Sequence, residues 1–162
     1  MNTRKLTVSA MFISLGVVLG NLIYIPVGIS KCFPIQHTIN ILSAIMLGPF
    51  HGTSIAFLIS LIRNILGTGS LLAFPGSMIG AFLAGIVYKN TKNNYMTVIG
   101  EIFGTGILGG LIAFPIARYL MGKEVLAFFF VYPFILSTIG GAIIALVLIK
   151  AFENIKEKQP TL

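Results

Sequence analysis

Apolar residues run along this chain in blocks too long and too uniform for the surface of a soluble fold. Residues 6–30, 32–62, 64–88, 102–117 and 125–149 contain no Asp, Glu, Lys or Arg, and only His37 and His51 interrupt them as weak bases. A bilayer core of ~30 Å needs ~20 apolar residues per helix, so these blocks read as membrane spans. Breakers and polar loops divide them into six predicted helices, over 6–25, 36–48, 52–66, 75–88, 95–117 and 126–152. Pro26 and Gly28 end the first, Gly48-Pro49 separates the second from the third, and Gly67-Thr68-Gly69-Ser70 precedes the fourth. Pro75 suits a first turn. Residues 89–94 form a solvated loop, 118–124 a short one, and the tail from 153 is polar. The predicted fold is an all-α integral membrane protein of six transmembrane helices, a single membrane domain over residues 1–162 with no internal repeat.

Charge adds orientation. With six spans, both termini share a side with the 48–52 turn and the 89–94 loop. That side holds Arg4, Lys5, Lys89, Lys92, Lys150, Lys156 and Lys158, against Lys31, Arg118 and Lys123 opposite. Basic residues collect on the cytoplasmic face, so both termini are predicted to be cytoplasmic, in a multi-pass protein of the cell membrane. The net charge of +7 sits in loops and tails and does not imply nucleic acid. Arg4 and Lys5 before an apolar run resemble a signal peptide. That run is too long and has no small-x-small cleavage site, which predicts a retained helix.

Composition agrees with the pattern: 56% of residues are hydrophobic, mean hydropathy is +0.98, and there are 18 glycines. Cys32 is the lone cysteine, so an internal disulfide or multi-cysteine metal site is excluded. No Walker A sequence, nucleophile elbow or His-Glu-x-x-His occurs, and there is no Asp at all. No catalytic residue, cofactor or metal is predicted. If the chain moves a solute, the energy is expected from partners that hydrolyse ATP or from a proton on Glu101.

Helix association in lipid depends on close backbone approach, so small residues four apart mark contact faces. Gly16 and Gly20, Gly76, Gly80 and Ala84, Ser77, Ala81 and Gly85, and Gly106 and Gly110 fit packing within the bundle. Ala10 and Ser14, near the cytoplasmic end of helix one, also suit a second membrane subunit.

The few polar side chains fall on helical stripes. Gln36, His37 and Asn40 open helix two, Ser60, Arg63 and Asn64 end helix three, and Thr97, Glu101 and Thr105 step along helix five. An ionised group inside a span needs a partner or a task, and a mutual Arg63–Glu101 pair is one candidate. Isolated Ser and Thr are given little weight because they commonly bond their own backbone. Gln36, His37, Asn40, Arg63 and Asn64 are expected to converge in a small cavity in the outer half. Tyr24, Phe33, Phe74, Tyr119 and Tyr132 stand at its level as aromatic walls or as an interfacial belt. Such a pocket suits a small heteroaromatic ligand bearing a hydroxyl.

Four segments carry a family resemblance: Phe74-Pro75-Gly76-Ser77-Met78-Ile79-Gly80-Ala81-Phe82-Leu83-Ala84-Gly85, Gln36-His37-Thr38-Ile39-Asn40, Arg63-Asn64-Ile65-Leu66-Gly67-Thr68-Gly69, and Gly100-Glu101-Ile102-Phe103-Gly104-Thr105-Gly106. Together they resemble the ThiW family, substrate-binding S components of energy-coupling factor (ECF) transporters. The resemblance runs from Lys5 to Phe152. It implies the six-helix S-component fold, with an outer pocket capped by the helix 1–2 loop. The implied partners are a transmembrane T subunit and two cytosolic ATPases, and the implied ligand is the thiamine precursor hydroxyethylthiazole. It also implies that Ala10 and Ser14 stand where S components carry a docking Ala-xxx-Ala pair. Thiamine-binding relatives stack their ligand on tryptophan, and this chain has none, which favours the smaller thiazole half.

The expected substrate-binding set is Gln36, His37, Asn40, Arg63, Asn64, Glu101, Phe74 and Tyr132, with Ala10 and Ser14 for docking. Two alternatives remain at this point. One is a membrane enzyme using His37, Arg63 and Glu101 on a lipid-linked substrate, and the other is a carrier that works without partners.

Overall fold

The computed structural model describes residues 3–27 and 30–158. Six helices follow one another: α1 Thr3–Leu22, α2 Pro34–Leu47, α3 Pro49–Ile65, α4 Ala73–Thr91, α5 Asn94–Leu120 and α6 Val131–Lys158. Strands β1 Ile25–Val27 and β2 Ser30–Cys32 pair antiparallel between α1 and α2, with Pro26 opposite Lys31. α1, α5 and the Val131–Ile155 part of α6 are long and apolar enough to cross a membrane. α2 and α4 lie at the centre of the bundle. α2 contacts every other helix, whereas α1 rests on α2 and α3 alone among the well-formed helix contacts.

Local chemistry sets several boundaries. Gly48 at φ 86° turns the chain between α2 and α3, and Pro49 starts the next helix with its φ already fixed. Asn93 caps α5 by accepting from the backbone N–H of Tyr95 at 2.9 Å and of Met96 at 3.2 Å.

The observed bounds depart from the predicted ones at most helix ends: α3 starts at Pro49 where residue 52 was expected, and α6 runs to Lys158, taking in part of the tail expected from 153. α1 ends at Leu22, short of residue 25, because Ile25–Val27 pairs as a strand with Ser30–Cys32. α4 runs on to Thr91 and takes in half of the expected 89–94 loop. α5 continues through Pro115 to Leu120, since its turns widen. Residues 126–130 make turns before α6, which begins at Val131 with Pro133 in its first turn.

The widened turns of α5 are π-helical over Ile102–Gly109 and again over Ile116–Leu120. The first stretch has a packing cause. A Cβ on Gly104 would stand 2.8 Å from Gly80 Cα, and one on Gly109 would collide with Gly76 Cα. Gly76 and Gly80 are four apart, one turn of α-helix. Gly104 and Gly109 are five apart, matching the i→i+5 period of the π-helix. Both pairs therefore share one face, and α4 and α5 cross glycine on glycine. Gly106 and Gly110 turn the other way, where added Cβ atoms would reach Ile135 Cγ1 and Val131 Cα of α6, each at 2.8 Å.

Candidate functional site

α2, α4 and α6 begin, and α1 and α3 end, at the same end of the bundle. A cavity of about 470 Å³ opens there, under the hairpin and beside the 67–70 loop. Its polar floor comes from Gln36 and His37 of α2, Ser77 of α4 and Thr105 of α5. Phe33, Phe130 and Phe134 supply aromatic walls, and Lys31, Arg63 and Lys123 supply the charge.

Arg63 is 1% exposed. Its Nη1 donates to Gln36 Oε1 at 2.6 Å and its Nη2 to Thr68 O at 3.2 Å, while the guanidinium lies 4.1 Å over the Phe33 ring. Gly20 of α1 leaves room for it, since a Cβ there would already touch Nη1 at 3.5 Å. Gln36 is used from both ends. Its Nε2 donates to Ser60 Oγ at 3.0 Å and to Ser77 Oγ at 2.7 Å.

From Ser77 the network continues inward. Asn40 Nδ2 donates to Ser77 Oγ at 3.2 Å and Glu101 Oε1 at 3.4 Å. Glu101 Oε1 also takes His37 Nδ1 at 2.9 Å and Thr105 Oγ1 at 2.9 Å. One chain of contacts thus links Arg63, Gln36, Ser77, Asn40, Glu101 and His37 across four helices. A buried polar group without a partner is costly, so these shared contacts help to fix the relative positions of those helices. Asn40 Oδ1, Arg63 Nε and Glu101 Oε2 are buried without a protein partner.

The expected site residues separate into three groups. Gln36, His37 and Arg63 line the cavity. Asn40 and Glu101, both fully buried, lie one layer behind them and hold the lining side chains. Asn64, Phe74 and Tyr132 stand elsewhere. Asn64 braces the 67–70 loop through Ser60 O at 2.7 Å and Ser70 O at 3.1 Å, and Phe74 packs on Phe57. Tyr132 is 69% exposed and Tyr119 76%, whereas Tyr24 and Phe33 do reach the cavity. The Arg63–Glu101 pair does not form: Arg63 turns to Gln36 and Thr68, and Glu101 to His37. Ser77, Thr105, Phe130 and Phe134 belong to the cavity without having been singled out for it. The Phe128-Phe129-Phe130 run was a signal for Phe130.

The hairpin covers the cavity and is tied to α6. Cys32 Sγ contacts Pro133 O at 3.2 Å, and Phe33 N–H donates to Ser137 Oγ at 2.8 Å. Burial pushes the Cys32 thiol up from its ordinary pKa. Ala10 and Ser14 lie exposed on the outer side of α1, with Ser14 Oγ bonded to Ala10 O at 2.9 Å. Among the described residues no three His, Cys, Asp or Glu side chains stand together as a metal site requires.

Comparison with known proteins gives two matches. The ThiW family model, described as thiamine-precursor transporter protein, matches residues 6–155. A chain reported under "Structure and mechanism of the S component of a bacterial ECF transporter" is similar in fold, with a TM-score of 0.80. It is 18% identical, and the match covers 96% of this chain and 98% of that one. No curated protein matches.

Proposed function

Because this chain belongs to the ThiW family of thiamine-precursor transporter proteins, and is thus a transport protein and not an enzyme, we propose that it captures the thiazole precursor hydroxyethylthiazole. In this reading it is the substrate-binding subunit of an ECF importer. It lies in the cell membrane with both termini cytoplasmic and meets a T subunit through Ala10 and Ser14. Two cytosolic ATPases drive delivery.

The observation that carries the ligand assignment is the charge of the cavity. Lys31, Arg63 and Lys123 line it, and no carboxylate does. Intact thiamine carries a permanent positive charge on its thiazolium ring, and three cations disfavour that charge in a partly desolvated site. The free thiazole is neutral. Phe33, Phe130 and Phe134 offer apolar faces to such a ring, and the volume lies in the ordinary range for a small-molecule pocket, which supports the reading.

The test is titration of the purified protein with hydroxyethylthiazole, thiamine and the pyrimidine precursor. Saturable binding of the thiazole, with thiamine at least about tenfold weaker, is the expected result. Thiamine binding as tight as the thiazole would overturn the assignment. In proteoliposomes, uptake should require the T subunit and the ATPases, and uptake by this chain alone would make it an independent carrier.

A further inference from the structure

We infer that His37 is the cavity's acceptor for a ligand hydroxyl, and that Glu101 is the positioning residue that makes it one. The inference takes its probe ligand from the thiazole reading above, but its first test does not depend on that reading.

Hydrogen-bond accounting leads to it. Oε1 of Glu101 is approached by three potential donors, from His37 Nδ1 at 2.9 Å, Thr105 Oγ1 at 2.9 Å and Asn40 Nδ2 at 3.4 Å. An amide nitrogen can only donate, so Oε1 serves as an acceptor in this cluster. The imidazole proton therefore sits on Nδ1, because the contact made by one ring nitrogen decides the state of the other. Nε2 has no protein partner among the described residues and is not enclosed, and His37 lines the cavity. It presents a lone pair to whatever enters. A second proton there would add a fourth cation beside Lys31, Arg63 and Lys123.

Ser77 is the counterpart. Its Oγ accepts from Gln36 Nε2 at 2.7 Å and from Asn40 Nδ2 at 3.2 Å, and its own proton has no acceptor among the described residues. The floor thus offers an O–H donor at Ser77 and a bare nitrogen at His37, linked to each other through Asn40 and Glu101. The charged residues of the cavity only donate. A ligand carrying an aromatic nitrogen and an aliphatic hydroxyl satisfies both, the nitrogen at Ser77 and the hydroxyl proton at His37 Nε2. A ligand lacking the hydroxyl leaves His37 unpaired in a desolvated site, which is how such sites reject close analogues.

The first test reads the ring directly. Protein labelled with ¹⁵N-histidine, with His51→Gln removing the second ring, should show His37 with Nδ1 protonated and Nε2 bare before any ligand is added. A proton on Nε2 would overturn the proposal. The second test compares hydroxyethylthiazole with the ethylthiazole that lacks only the hydroxyl. The natural protein should prefer the hydroxyl compound by about tenfold. Glu101→Gln keeps an acceptor oxygen and should keep that preference. Glu101→Leu should bring the ratio close to one through loss of hydroxyethylthiazole affinity. An unchanged ratio in Glu101→Leu would reduce Glu101 to a structural role and sink the idea. If Glu101→Leu does not fold, the ring nitrogens of the natural protein and of Glu101→Gln still decide the matter. If neither thiazole binds while Nε2 is bare, the thiazole assignment falls and the acceptor stands.

Discussion

Arg63 and Gln36 clasp each other across two helices, Nη1 to Oε1 at 2.6 Å, and the same Gln36 amide holds Ser60 and Ser77 from its other end. One neutral side chain therefore satisfies a buried cation on one side and two hydroxyls on the other. Gln36→Leu should remove all three contacts and leave the guanidinium with Thr68 O and the Phe33 face. The expected loss is about 2–4 kcal/mol of stability. It can be read from thermal unfolding in detergent, together with loss of ligand binding. Gln36→Glu should retain more of the fold, since it returns an acceptor to Arg63.

The glycine crossing of α4 and α5 makes a steric prediction. Gly109→Ala drives a methyl group into Gly76 Cα, backbone against backbone, with no side chain to move aside. A loss of about 1–3 kcal/mol or more is expected. Gly140→Ala is the control. Its Cβ would stand 3.3 Å from Pro34 Cβ, a contact that a few tenths of an ångström relieve, and its melting temperature should stay close to that of the natural protein.

Ala10 and Ser14 form the exposed face of α1, so a large residue there has no helix of the bundle to displace. Ala10→Trp should leave thiazole affinity within about twofold and abolish co-purification with the T subunit, because close approach is the main source of helix affinity in lipid. Loss of ligand binding in the same variant would show that this face supports the fold.

Cys32 gives a pH dependence. Its thiol titrates above the ordinary value when folded, so the native state holds a proton that the unfolded chain gives up first. Stability from this group is therefore present below the ordinary thiol pKa and falls as pH rises through it. Maleimide, which reacts with the thiolate, should label the native protein slowly at neutral pH and faster as pH climbs. Ser137→Ala removes the acceptor for Phe33 N–H and should raise the labelling rate at every pH. A rate identical to that of a free thiol would show that the hairpin does not shield Cys32.

The hydrophobic blocks placed all six helices, because a span is announced by length and by the absence of charge. Two parts of the fold escaped that signal. The hairpin strands are three residues each, too short for a period to show. The π turns of α5 follow from contact with α4, which no local pattern contains. The site divides in the same way. Gln36, His37 and Arg63 were legible as rare polar groups in apolar sequence. Their partners were not, since spacing along a helix does not say which helix lies opposite, and so Arg63 stood as one candidate partner for Glu101, which meets His37 and Thr105. Ser77 was read as a small packing residue, and its hydroxyl became significant only once Gln36 and Asn40 were seen to donate to it. Tyr132 and Phe74 lie off the cavity lining for want of phase: when a helix is apolar all round, the sequence does not say which side faces inward.

The glycine crossing also has a mechanical consequence. Where backbone meets backbone, sliding or tilting has no rotamers to absorb it, so α4 and α5 must move as one piece in any working cycle. Ser77 and Thr105 ride on that piece, and the floor of the cavity is consequently a fixed platform. The roof is different. It is tied to α6 by Cys32 to Pro133 and Phe33 to Ser137, and to α3 by the Arg63 guanidinium over the Phe33 ring, side-chain contacts in place of backbone against backbone. Lifting that segment must break both α6 contacts and draw Phe33 away from the Arg63 guanidinium, so roof and floor differ in what resists their movement.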